Sequence, residues 1–125
     1  MLAVDRPRYN SLSAHLRARF GRRLAKIAID AGLSCPNRDG TISRQGCLFC
    51  DGQGSGSGAA RQGLSVTRQI EAAIPRLARR YKTDRFIAYF QAFTNTYAQV
   101  EDLARLYGQA LAFEEVLVLA IGTRP

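Results

Sequence analysis

Apolar positions recur with two different periods along this chain of 125 residues. Three short runs carry the signature of strands. Ile27 and Ile29 share one face of a run over residues 24–29. Phe86-Ile87-Ala88-Tyr89-Phe90 and residues 116–121 are continuously apolar, as expected of strands covered on both faces. Between the runs the period lengthens. Val66, Ile70, Ile74, Leu77 and Tyr81 fall at helical spacing behind Ser65 or Thr67 as a cap, and Pro75 within that pattern predicts a kink. Val100, Leu103, Ala104, Tyr107, Ala110 and Leu111 mark a second amphipathic helix. A short basic helix over residues 11–20 precedes the first strand.

The order strand, helix, strand, helix, strand predicts an α/β fold of about three parallel strands with right-handed crossovers. Ligands in such sheets bind beyond the carboxyl ends of the strands. The irregular sequence lies there. A long stretch, 30–63, follows the first strand, with Asp39-Gly40 as a tight turn and a glycine–serine run over 52–58. Gln91-Ala92-Phe93-Thr94-Asn95-Thr96 follows the second strand, and Gly122-Thr123-Arg124-Pro125 follows the third. The chain divides into an N-terminal basic helical segment, 1–22, and a core, 23–125, with its loop at 31–63. No repeat of fixed period is present.

Charge adds a partner class. The formal net charge is +8, and all basic residues except Lys26 and Lys82 are arginine. Arginine pairs bidentately with phosphate and stacks on bases, so nucleic acid or another polyanion fits this balance. The alternative is arginines scattered over solvated faces, and their spread from Arg6 to Arg124 suits that too. No apolar run approaches a membrane span. Residues 1–10 lack an apolar stretch with a small-residue cleavage site, so no signal peptide is expected and the cytoplasm is the expected compartment. Thiols stay reduced there, which favours metal binding or catalysis over structural disulfides.

The only cysteines are Cys35, Cys47 and Cys50, with eleven residues between the first two and two between the last two. An odd count argues against a disulfide framework. Thiolates suit iron–sulfur clusters and zinc. Clusters usually take four thiolates. Three on a four-iron cubane leave one iron open for a non-protein ligand. Cys47 and Cys50 can reach one centre from a single tight loop, and Cys35 returns to it across Gly40 and Gly46. A structural zinc site needs a fourth ligand, His15 or a carboxylate. A redox pair made by Cys47 and Cys50 alone leaves Cys35 idle. The ligand count favours the cluster, with the other two readings open.

Ser34-Cys35-Pro36-Asn37-Arg38-Asp39-Gly40-Thr41 followed by Gly46-Cys47-Leu48-Phe49-Cys50 resembles the cluster loop of radical S-adenosylmethionine (SAM) proteins. Within them it is similar to the YhcC/YtqA-type group, related to the catalytic subunit of Elongator. The segments 88–96 and 122–125 also look like that group. The wide first cysteine interval departs from the commoner C-x3-C-x2-C and fits the Elongator-like branch. The resemblance implies that Cys35, Cys47 and Cys50 hold a [4Fe–4S] cluster. SAM then chelates the open iron and is cleaved reductively to a 5′-deoxyadenosyl radical that takes a hydrogen atom from substrate. It also implies that Phe49 packs on the adenine, that Gln91, Thr94 and Asn95 lie where the methionine amino group is reached, and that Arg124 pairs with a carboxylate of SAM or substrate. The family's Gly-Gly-Glu-like sequence is absent after the second strand. An electron donor of flavodoxin or ferredoxin type is implied as a partner, and transfer RNA as a substrate class.

Each residue has a plainer reading. Phe49 can fill space under its loop, Asn95 or Thr96 can cap the following helix, and Arg124 can form a surface ion pair. Lys26 at the start of its strand reaches solvent more readily than a barrel interior. His15 reads as a solvated helix residue, and Tyr89, Phe90, Phe93 and Tyr97 read as core. A full β/α barrel needs roughly 250 residues. The expectation is therefore the N-terminal part of a partial TIM-like radical SAM barrel, too short to be a competent enzyme alone. The alternative is a small basic zinc-binding module that holds nucleic acid without catalysis.

Overall fold

The computed structural model describes residues 8–33, 64–91 and 94–123. Within them the order is α1 (Leu12–Phe20), β1 (Ala25–Ile29), α2 (Val66–Tyr81), β2 (Phe86–Phe90), α3 (Val100–Leu111) and β3 (Val116–Ile121). The strands form one parallel sheet in the order β1-β2-β3. The α/β expectation therefore holds at this level, with three strands and three helices. The cysteine loop, Phe49, Phe93 and Arg124 lie outside the described residues.

Local chemistry sets the helix ends. Ser11 caps α1 by accepting from Ala14 N–H at 3.1 Å, and Ser65, rather than Thr67, caps α2 through Arg68 N–H at 3.2 Å. The predicted kink position leaves α2 continuous over all its residues. Proline removes the donor for the Glu71 carbonyl, but Pro75 and Glu71 are both exposed, so water can satisfy it.

Register puts two sets of side chains on opposite faces. Ala25, Ile27 and Ile29 pair with Phe86, Ala88 and Phe90, and this face packs against both α2 and α3 in one core with Ile70, Leu77 and Ala110. Phe90 and Tyr107 meet edge to face, with ring centroids 5.0 Å apart. A bulge between β2 and β3 sets Val116 opposite Phe86 and Val118 opposite Ile87, leaving Leu117 over. That extra residue shifts the alternation by one, so Val116 and Leu119 join the first face while Val118 and Ala120 join the second. On the second face α1 lays Leu16 and Phe20 on Leu24, Ile87, Val118 and Ala120.

Two expectations change here. In α3 the buried positions are Leu106 and Ala110, whereas Val100 and Leu111 are 74% and 57% exposed. The helix turns its 103–106–107–110 face to the core, and the Val100, Ala104 and Leu111 stripe lies about 100° away and is exposed. β3 is also less covered than its apolar run predicts, because it pairs only with β2 among the described strands. Lys26 is exposed and lies 4.8 Å over the Tyr89 ring, while His15 is exposed on α1. Among the described residues, no helix is long and apolar enough to cross a membrane.

Candidate functional site

All three strands point their carboxyl ends at one pole, and the segments leaving them are bonded to one another there. Gln91 N–H donates to the Ile29 carbonyl at 3.2 Å, joining the exits of β2 and β1. Gly122 N–H donates to the Phe90 carbonyl at 2.8 Å, joining β3 to β2. A Cβ at Gly122 would stand 3.1 Å from the Phe90 oxygen, tighter than most Cβ contacts, so glycine suits this close crossing.

Asn95 locks the crossing. Its side chain is fully buried, and its amide nitrogen donates to the Phe90 carbonyl at 2.9 Å and to the Gly122 carbonyl at 3.0 Å. Its backbone N–H donates to Gly122 O as well, at 3.0 Å. The Oδ1 atom is buried with no partner among the described residues. Thr94 is buried beside it, and Thr96 and Thr123 share a hydroxyl–hydroxyl bond of 2.5 Å. Gln91, Thr94 and Asn95 are thus brought to the exits of β2 and β3. The capping role considered for Asn95 or Thr96 is replaced: Gln99 occupies the α3 N-cap without a side-chain bond. A shallow depression of about 500 Å³, lined by Thr96, Tyr97, Ala98, Gln99 and Asp102, opens beside this crossing.

Tyr107 supports the crossing from α3 by donating its hydroxyl to the Asn95 carbonyl. Burial raises the Tyr107 pKa above the ordinary 10.0, which keeps the hydroxyl a donor. The unfolded chain ionises first as pH rises. This contribution is therefore complete below the ordinary value and is lost as pH climbs through the raised one. Tyr107→Phe is expected to flatten that alkaline loss in a series of urea unfolding curves. At neutral pH it should cost about 1 kcal/mol for the missing bond.

The start of the cysteine loop is held by a residue the sequence reading passed over. Gln69 is 7% exposed on the core stripe of α2. Its Oε1 accepts from Asp30 N–H at 2.8 Å, and its Nε2 donates to the Asp30 carbonyl at 2.7 Å and the Leu64 carbonyl at 3.0 Å. Asp30 follows β1 and Leu64 precedes α2, so one amide ties together the two described flanks of the stretch that carries all three cysteines. Asp30 in turn accepts from Gly32 N–H at 3.0 Å, and Gly32 takes a φ of 76° that favours glycine. The readable signal was a polar side chain at a helical position between Val66, Ile70 and Ala73, all of them core residues.

The described part of this pole therefore offers fixed amides, hydroxyls and backbone groups. No cluster of three or more His, Cys, Asp or Glu suited to a metal lies among the described residues. Cys35, Cys47, Cys50, Phe49 and Arg124 lie outside them, so their placement is not part of this geometry.

The chain is similar to several known proteins over nearly all of its length. It is 43% identical over 118 residues to the uncharacterized protein YtqA of Bacillus subtilis, covering 94% of this chain and 37% of that protein. It is 41% identical over 116 residues to protein YhcC of Escherichia coli, covering 93% and 36% respectively. It is 31% identical over 114 residues to the uncharacterized protein MJ0486 of Methanocaldococcus jannaschii, covering 89% and 34%. No family model matches the chain, and no solved structure matches it. The chain spans little more than a third of the length of the relatives it matches.

Proposed function

We propose that this chain is the cluster-bearing N-terminal part of a radical SAM enzyme, with Cys35, Cys47 and Cys50 as the ligands of a [4Fe–4S] cluster. The observation that carries this reading is the site of the trio in the chain: its loop leaves the sheet at Asp30 and returns at Leu64, and Gln69 joins those flanks. Three thiolates are also the donor set that leaves one iron open. A cluster with SAM on that iron supplies one-electron cleavage of the sulfonium.

The chain's own residues have separate roles in this reading. Gln69 fixes the root of the loop. Asn95 Oδ1, a buried acceptor without a described partner, suits an ammonium donor such as the methionine amino group of SAM. Gln91 and Thr94 lie at the same strand exits, and in this proposal Phe49 would pack on adenine and Arg124 would meet a carboxylate. Two crossover helices on one face of an in-order parallel sheet suit the beginning of a partial β/α barrel. A flavodoxin- or ferredoxin-type donor and a transfer RNA substrate belong to the same proposal, by analogy with the Elongator-like group.

Anaerobic reconstitution with iron and sulfide tests it. The expected product is brown, with iron and sulfide in the ratio of a cubane. Cys47→Ala is expected to abolish cluster assembly, while His15→Ala leaves it intact. Tight stoichiometric zinc with no chromophore, lost on His15→Ala, would replace the cluster with the zinc-module reading.

A further inference from the structure

The opposite pole of the sheet, at the amino ends of the strands, gathers positive charge. Segments 22–24 and 79–85 together hold Arg22, Arg23, Arg79, Arg80, Lys82 and Arg85, with Asp84 as their one carboxylate. Contacts knit the segments into one surface. Thr83 Oγ1 donates to the Arg23 carbonyl at 2.5 Å, and Ala25 N–H donates to the Arg85 carbonyl at 3.1 Å. Asp84 is already engaged, 2.7 Å from Arg22 Nη1 and 3.2 Å from Arg85 Nη1. The hydrogen bond from Arg22 holds its carboxyl below the ordinary value of 3.8, so it stays ionised. Arg23, Arg79, Arg80 and Lys82 have no carboxylate partner among the described residues.

Fold stability accounts for only part of this cluster. Arg79 and Arg80 complement the negative end of the α2 dipole, worth about 0.3–1 kcal/mol each. Arg22, Arg23 and Arg85 come from the segments before β1 and β2 and add repulsion to that end. Two of the guanidinium groups are also oriented. Arg23 lies 4.9 Å and Arg80 5.3 Å from the centroid of the same Tyr81 ring. Stacking fixes the plane of each fork and leaves its N–H edge for an oxygen acceptor. Repeated planar forks match successive phosphates, whereas an anionic lipid surface asks only for charge and inserted apolar groups.

We propose that this amino-end pole is a docking surface for a nucleic-acid backbone, at the opposite end of the sheet from the strand exits and independent of any cluster. The contact is to phosphate and is tolerant of sequence. Fluorescence anisotropy of the intact chain with a labelled oligouridine of about 30 nucleotides, at salt from about 50 to about 200 mM, reads it directly. Arg79→Gln/Arg80→Gln/Lys82→Gln is expected to weaken binding at least about tenfold. It should also make the log–log salt slope shallower by about two, since each single-strand phosphate contact contributes about 0.7. Arg8→Gln/Arg68→Gln/Arg105→Gln removes the same charge elsewhere and should bind as the parent does. Cys47→Ala should also bind as the parent does, which separates this surface from the cluster reading.

Equal losses in the two triple variants would reduce the effect to net charge and overturn the surface. So would an unchanged salt slope in the first, or parent chain that binds phosphatidylserine vesicles but not the oligonucleotide. Circular dichroism on each variant checks that the fold is kept; these side chains are outside the core, so retention is expected.

Discussion

Gln69→Glu is expected to lower the unfolding free energy by about 3 kcal/mol or more at neutral pH. The amide nitrogen now spans two carbonyl oxygens, those of Asp30 and Leu64. A carboxylate puts a negative oxygen against both, in a place 7% exposed where water cannot relieve it. Gln69→Leu keeps much of the volume, introduces no charge and removes the amide. It still strands the N–H and carbonyl of Asp30, at about 1–3 kcal/mol for each buried group left unpaired.

The rank order is the test: glutamate worse than leucine at pH 7, with the gap narrowing as pH falls and the buried carboxyl protonates. The sign follows from a folded-state pKa raised by burial, so stability is present at low pH and lost as pH rises through it. Urea midpoints read both effects. A glutamate variant within about 0.5 kcal/mol of the parent would show that the clamp contributes nothing. If the cluster proposal holds, both variants also retain less iron after reconstitution, because the root of the loop is no longer fixed.

Asn95→Asp is the second large effect, again from one atom. The Asn95 amide nitrogen bonds the Phe90 and Gly122 carbonyls, and the side chain is fully buried. Aspartate has the same shape and reverses the polarity at that point. About 3–5 kcal/mol is expected, the range for an uncompensated buried charge. Asn95→Ala should cost less, about 1–3 kcal/mol, because both carbonyls keep a backbone donor: Gly122 N–H for Phe90 and Asn95 N–H for Gly122. Thermal unfolding of the two variants side by side decides it. Alanine as costly as aspartate would mean that cavity and packing, not polarity, set the role of this residue. SAM binding gives a second readout within the proposal: alanine should weaken it even where the fold survives, because Oδ1 is lost as an acceptor.

The elements were legible because each carries its own period. Phe86 to Phe90 is a run that only a strand covered on both sides can bury, and Val66, Ile70 and Leu77 repeat at the pitch of a helix. The capping serines and the placement of functional segments at strand exits follow from equally local rules. The face of α3 was misread for a physical reason. Its sequence offers an apolar arc wider than the strip the core covers, and only the position of α2 and β3 selects Leu106 and Ala110 over Val100 and Leu111. The bulge at Leu117 is invisible in a run where every residue is apolar, since an extra residue leaves the hydrophobic pattern unchanged.

Sequence alone determined the alternation of elements, the positive charge and the three-thiol donor set with its spacing, because composition, period and ligand count are properties of the chain. It also determined that the cysteine loop begins where a strand ends. Tertiary structure decided what holds that place together. Gln69 and Asp30 are 39 positions apart, and Asn95 and Gly122 are 27 apart. No local rule pairs them; they meet because parallel strands bring every exit to one pole, where buried carbonyls must find donors. The same geometry carries Arg22 and Arg23 to Arg79 and Arg80 at the other pole, so that arginines scattered along the chain become one charged surface.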